Sequence, residues 1–268
     1  MNRVADYEIL DSVSRDERDP LFTAIPPRRL GLSGDRVLLK VAQIELGARQ
    51  LHRAAEEMRI LAAVKSPYLV ELYDAGQDGD KLFYSMEHPS LGTLDLPTQA
   101  LTPDEKLAAV ADAAKGAHAL HEAGIAHRNI RPSCILLYGS GAKLADLGMA
   151  KRLDAGTSVS MMPDVTDIEF IDPAIITGEV PSRASDIWSL GATLHWAMSG
   201  GQLLHPGRAD LDPFAAVRRV LSEPPLISPD LPDDVAAVVA RALARDPADR
   251  PATAEELATQ ITALVGSR

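Results

Sequence analysis

Residues 126–137 read AHRNIRPSCILL and crowd an imidazole (His127), two guanidinium groups (Arg128, Arg131), a carboxamide (Asn129) and a thiol (Cys134) into one short run. A carboxamide cannot take up a proton near neutral pH, so Asn129 is not a general base. A thiol is a poor partner for a hard cation, which prefers oxygen. Three further ionisable residues stand apart in short motifs: Lys40 in VLLKV, Glu57 in EMRILAAVKSP and Asp146 in ADLGMA. A strand lysine and a helix glutamate can pair simply to tie the two elements together. A single aspartate can hold one metal ion weakly or accept nearby backbone amides. Cys134 is the only cysteine, so the chain has no internal disulfide and no C-x-x-C metal or redox pair. As a small apolar side chain it suits a buried position.

The elements that must position these groups fall into two blocks. Up to about residue 87 the chain carries short β-like runs, YEIL, RVLLKVAQ, YLVELYDAG and KLFYSME. One helical stretch interrupts them, with Leu51, Ala54, Ala55, Met58, Leu61 and Ala62 at helical spacing. Residues 87–95 form a turn-rich boundary, and the chain from 96 to 268 is mainly helical. TPDEKLAAVADAAKGAHALHEAG opens with a capping box, Thr102 as cap and Glu105 reaching back, with Pro103 in the first turn and Gly124 as the stop. Thr253 and Glu256 repeat the device near the C-terminus. Strands first and helices later predict an α+β chain, one domain with a small lobe over about 1–87, a hinge over about 87–95 and a larger lobe over about 96–268.

The chain has 268 residues, 46% of them hydrophobic and 24% charged, which suits a folded globular core. Its formal net charge of −11 disfavours nucleic acid and anionic membranes as partners. No apolar run reaches the roughly 18–20 residues that span a bilayer, and MNRVADYEIL lacks the apolar stretch of a signal peptide, so a cytoplasmic location is expected.

The order and spacing of these motifs resemble the protein-kinase superfamily, and most of all the bacterial Ser/Thr (Hanks-type) kinases, over nearly the whole chain. HRNIRPSCIL resembles the catalytic loop H-R-D-x-K-P-x-N-I-L, with His127 and Arg128 kept. Lys40 matches the strand lysine and Glu57 its ion-pair partner. ADLGMA resembles the D-F-G segment, keeping Asp146 and Gly148. EFIDPA matches the end of the activation segment, SDIWSLG the buried helix with Asp186, and DPADRPATAEEL the closing segment with Arg250. The resemblance implies a bilobal fold, a small antiparallel N-lobe sheet with one helix and a larger helical C-lobe. It also implies a spine of Leu61, Leu72, His127 and Leu147 anchored by Asp186.

The departures from that pattern are chemical. Ser14, Asp16 and Asp19 stand where the glycine-rich loop has glycines, and two of them are acids. A carboxylate about 4 Å from a phosphate charge costs about 4 kcal/mol at an effective dielectric of 20. The segment reads better as a solvated acidic hairpin, and GLSGDR as a strand-to-strand turn. Asn129 replaces the catalytic aspartate, Arg131 the lysine that steadies the phosphate, and Cys134 the magnesium-binding asparagine. Leu38 replaces a small residue at the adenine position. Thr166 and Asp167 fall on the family's G-T pair, and an Asp167–Arg131 salt bridge is a candidate replacement for that network. Ala174 replaces the glutamate that pairs with Arg250, for which Asp172 is a candidate substitute.

These departures predict a pseudokinase, not an enzyme: a regulatory or scaffolding protein-interaction module in bacterial Ser/Thr kinase signalling. No cofactor is expected, and ATP and magnesium are not expected to bind productively. Two alternatives keep Lys40 and Asp146 as nucleotide contacts: a nucleotide-binding switch, or an enzyme of atypical phosphotransfer chemistry using Lys40, Glu57 and Asp146. The expected partner is a protein, either an active Ser/Thr kinase or a phosphopeptide-binding module. Thr157, Ser158, Ser160 and Thr166 are the candidate phosphorylation sites, and Arg128 matches the arginine that docks a phosphorylated activation segment in active relatives.

Overall fold

The structure is a computed structural model and describes residues 3–13, 20–43, 62–79, 81–146, 151–152, 167–206 and 213–266. The chain divides into two compact units. One comprises Met1–Lys65 with Val70–Pro89, the other Ser66–Leu69 with Ser90–Arg268.

The first unit is built on six antiparallel strands: β1 (Arg3–Val4), β2 (Tyr7–Ser12), β3 (Leu21–Ile25), β4 (Val37–Gln43), β5 (Leu72–Asp78) and β6 (Lys81–Glu87). They pair in the order β1-β2-β3-β4-β6-β5. The period of a strand sorts β4 by face. Val37, Leu39 and Val41 enter a core with Val4, Tyr7, Ala24 and Phe83, which leaves Leu38 and Lys40 on the opposite face. On that face Leu38 lies between Thr23 and Met86 of the neighbouring strands, and all three are buried. Lys40 follows in the next row, between Leu21 and Tyr84.

Tyr7 curls this sheet. Its hydroxyl donates to Asp74 Oδ2 at 2.8 Å and meets Ser85 Oγ at 2.8 Å, joining β2 to β5, which are far apart in the pairing order. Its ring meets Phe83 edge-on, with centroids 5.5 Å apart. Outside, Arg29 bridges Asp6 and Asp74. GLSGDR lies in the β3–β4 connection, where Gly31 adopts φ 59° behind the turn Arg28–Leu30. The pairing of β2 with β3 makes a hairpin of the segment read as acidic, while Ser14, Asp16 and Asp19 lie outside the described residues.

The second unit carries α1 (Pro103–Glu122), α2 (Pro173–Ile176), α3 (Arg183–Met198), α4 (Pro213–Ser222), α5 (Asp233–Ala242) and α6 (Ala254–Thr262). Four short strands complete it: β7 (Ile125–Ala126), β8 (Ile135–Tyr138), β9 (Gly141–Leu144) and β10 (Lys151–Arg152), paired β7 with β10 and β8 with β9. The expected capping box opens α1, with Glu105 N–H donating to Thr102 Oγ1 and Thr102 N–H to Glu105 Oε2. At α6 the device differs: Thr253 accepts from Glu256 N–H, but Glu256 Oε2 receives the amide of Ala252 instead. Segment 66–69 belongs to this unit because the carbonyl of Tyr68 accepts Leu144 N–H at 2.8 Å. Gly116 of α1 makes room for that carbonyl, since a Cβ there would lie 2.5 Å from it. The chain is therefore α+β, with an antiparallel sheet in one compact unit and mainly helices in the other.

Candidate active site

The short pair β7 and the hairpin β8–β9 bring the chemistry-bearing run together. Residues 127–134 leave β7 and enter β8, and Ile135 of β8 pairs with Leu144 at the end of β9. Ala145 N–H then donates to the carbonyl of Cys134 at 2.8 Å, which sets Asp146 beside the run. Two of these residues hold left-handed backbone, Arg128 at φ 74° and Asp146 at φ 64°. Side-chain residues with positive φ are uncommon and need outside support.

For Arg128, Asp186 at the start of α3 supplies that support. Its Oδ1 accepts Arg128 N–H and its Oδ2 accepts His127 N–H, both at 2.8 Å. His121 of α1 donates from Nε2 to the same Oδ2 at 2.8 Å. Burial alone would raise this carboxyl, but the His121 bond, the nearby histidines and the amide of Arg128 outweigh it and hold Asp186 below the usual carboxylate range. His127 is fully buried, and burial pushes its imidazole down against the pull of Asp186. Its Nδ1 accepts Asn129 N–H at 3.3 Å, so Nε2 carries the proton and donates to the carbonyl of Ala145 at 2.7 Å.

Asn129 turns its side chain onto Asp146. Nδ2 donates to Asp146 Oδ2 at 2.9 Å, and because a carboxylate only accepts, the NH₂ end must face it. Cys134 Sγ donates to the carbonyl of Asn129 at 3.1 Å and lies 3.8 Å from the same Oδ2. The cysteine is buried, as its size suggested. The family's pattern puts magnesium on this aspartate and on residue 134. The groups present do not fit it: one carboxylate oxygen already faces an N–H donor, and the other position is a thiol.

A second anchor lies at the end of the activation segment. Asp172 caps α2, its Oδ1 accepting Ala174 N–H at 3.0 Å, and its Oδ2 accepts Arg250 Nη1. Arg250 also donates to the carbonyls of Ala244 and Ala184, each at 2.8 Å, and lies over the Trp188 ring at 5.2 Å. The aspartate two residues before Ala174 thus supplies the carboxylate that position 174 lacks.

Lys40 lies in the first unit, on the sheet face opposite the core. Glu57, Leu61, Leu147, Gly148, Thr157, Ser158, Ser160 and Thr166 lie outside the described residues, as does the side chain of Asp167. Sequence reasoning missed His121. Its signal was a histidine on an apolar helix face, at the spacing of Ala114, Ala117 and His121. The Asn129–Asp146 contact was also missed, because two residues 17 apart meet only through the β8–β9 hairpin.

The family model for the protein kinase domain matches residues 32–261. The chain belongs to the protein kinase family. It is 30% identical over 266 residues to the serine/threonine-protein kinase PknK of Mycobacterium tuberculosis (strain CDC 1551 / Oshkosh), covering 96% of this chain and 23% of that protein. It is 29% identical over 245 residues to PkaB of Streptomyces coelicolor, covering 85% and 57%. To PknA of M. tuberculosis (strain H37Rv) it is 27% identical over 246 residues, covering 88% and 56%. The chain therefore spans about a quarter to somewhat over half of these curated kinases.

These relatives correct one expectation. The departures from the motif pattern predicted that the chain is not an enzyme, whereas its relatives are named serine/threonine-protein kinases, which points to an enzyme. The physical reason is one of magnitude. A positioned general base contributes about 10²–10⁴ in rate, while enzymes accelerate reactions by about 10⁶ or more, so losing the base leaves most of the catalytic effect to other groups. Among the described residues no helix is long and apolar enough to cross a membrane.

Proposed function

We propose that this domain is a nucleotide-dependent phosphotransferase of the serine/threonine kinase class, working slowly within a signalling assembly whose partner is another protein. Lys40 engages the nucleotide's phosphates by charge. Arg131 supplies a second fixed positive charge in the loop where transfer takes place. His127 and Asp186 hold that loop through its backbone, and no proton is taken by residue 129. The acceptor hydroxyl therefore loses its proton to solvent or to the transferred phosphoryl group itself. What supports this reading is the match of residues 32–261 to the protein kinase domain and the likeness to relatives named serine/threonine-protein kinases. The Asn129 carboxamide, with its NH₂ on Asp146 and no capacity to take a proton, is the reason the transfer is slow.

The test is transfer of labelled γ-phosphate from ATP to the protein itself and to a generic protein acceptor. Asn129→Asp restores a carboxylate at that position, and the expected gain over the unaltered protein is about 10²–10⁴ in rate. Lys40→Ala should abolish the nucleotide-induced rise in melting temperature. Absence of both nucleotide binding and transfer, in the unaltered protein and in Asn129→Asp alike, would sink the reading.

A further inference from the structure

The bond between Asn129 and Asp146 does more than fill a gap in a motif. A buried carboxylate needs hydrogen-bond donors or a cation to remain charged. Asp146 is only 8% exposed, and Asn129 Nδ2 supplies such a donor at 2.9 Å. The residue that carries the carboxamide is held by its backbone. The main-chain N–H of Asn129 is tied to His127 Nδ1, and its main-chain carbonyl receives the thiol of Cys134. The loop beneath is fixed by the clamp of Asp186 on two successive amides. A cation approaching Oδ2 would have to displace the carboxamide and would then meet sulfur at 3.8 Å instead of a second oxygen. Nor does any other cluster of three or more histidine, cysteine or acidic side chains offer a replacement site among the described residues.

We infer that the Asn129 carboxamide takes the place on Asp146 that a divalent cation takes in the family's pattern, so that Asp146 does not bind magnesium and nucleotide recognition by this domain does not require it. The part concerning nucleotide rests on the function proposed above. The part concerning the metal stands on its own.

Two measurements separate them. Manganese(II) is titrated into the nucleotide-free protein and followed by electron paramagnetic resonance, for the unaltered chain, Asp146→Asn, Asn129→Asp and Asn129→Asp/Cys134→Asn. The first two curves should superimpose, any retained ion belonging to the acidic surface. The carboxylate variants should bind manganese at least about tenfold tighter. Manganese held by the unaltered chain and lost in Asp146→Asn overturns the inference, whether or not the loop variants fold. Second, the melting temperature is recorded with ATP in EDTA and with ATP in magnesium. Equal shifts support the inference, and a shift seen only with magnesium overturns it. Superimposed manganese curves with no shift in either condition would remove the nucleotide-binding reading while the statement about Asp146 stands.

Discussion

Arg250 shows how a single residue can carry a motif that has otherwise changed. Its guanidinium and the Asp172 carboxylate are both almost completely buried, so neither can fall back on water. Removing one partner of a buried, hydrogen-bonded pair strands the other charge, at a cost of about 3–5 kcal/mol. Asp172→Ala is therefore expected to lower unfolding stability by roughly that amount in urea titrations. Ala174→Glu added to it should recover part of the loss, since it returns a carboxylate to the position where the family pattern has one. If Asp172→Ala costs under about 1 kcal/mol, as for an exposed pair, the anchor is not the ion pair. The same logic separates Asp172 from Asn129. Asp172 stands near a residue the pattern changed and Asn129 is such a residue itself, but only Asp172 restores a missing charge.

Among the elements, α1 does the most to position the site. Its small residues Ala109, Ala113, Gly116 and Ala117 are buried, letting neighbouring backbone approach closely. At Gly116 the neighbour is the carbonyl that also accepts Leu144 N–H and so holds the end of β9. A methyl group at 2.5 Å from a backbone oxygen must push the segment away. Gly116→Ala should thus destabilise by about 1–3 kcal/mol, although alanine is the better helix former. Because β9 leads directly into Asp146, the same variant should also change manganese uptake by Asn129→Asp, which a uniform loss of stability would not do. Equal or greater stability in Gly116→Ala would show that segment 66–69 yields easily.

At the scale of the whole molecule, buried neutral histidines set the response to pH. His127 has its Nδ1 on an amide N–H, and His195 Nε2 likewise accepts Ser228 N–H at 3.0 Å. Protonating either nitrogen would set N–H against N–H, and burial already holds both imidazoles below their usual value of 6.5. A pKa depressed on folding contributes stability that is present above the unfolded value and lost as pH falls through the folded one. Stability should therefore decline as pH drops from about 6.5, with each such histidine adding at most about 1.4 kcal/mol per pH unit. Asp186 acts in the same direction at lower pH, its depressed carboxyl losing its contribution only as it protonates. Urea unfolding at several pH values between 5 and 8 tests this. His195→Asn, which keeps an acceptor for Ser228 but cannot be protonated, should flatten the slope, and an unchanged slope would assign it to other groups.

Much of this was legible in the residues. Strand runs such as KLFYSME and RVLLKVAQ became β6 and β4 because alternation fixes a strand's faces locally, and Thr102 with Glu105 capped α1 because capping acts within one turn. LFTAI is the second arm of the hairpin expected from the acidic segment, but its pairing with β4 on the other side, which buries Thr23 and Ala24 and makes it an interior strand, is not written in its own residues. Residue identities and their order were enough to point to the family and to mark positions 129, 134 and 174 as changed. What each change does was a matter of three-dimensional neighbours. That Asn129 turns onto Asp146, that Asp172 takes over Arg250, and that His121 joins Asp186 all depend on contacts between residues distant in the chain. Sequence pattern encodes local propensity and burial, whereas such contacts exist only once strands pair and helices pack.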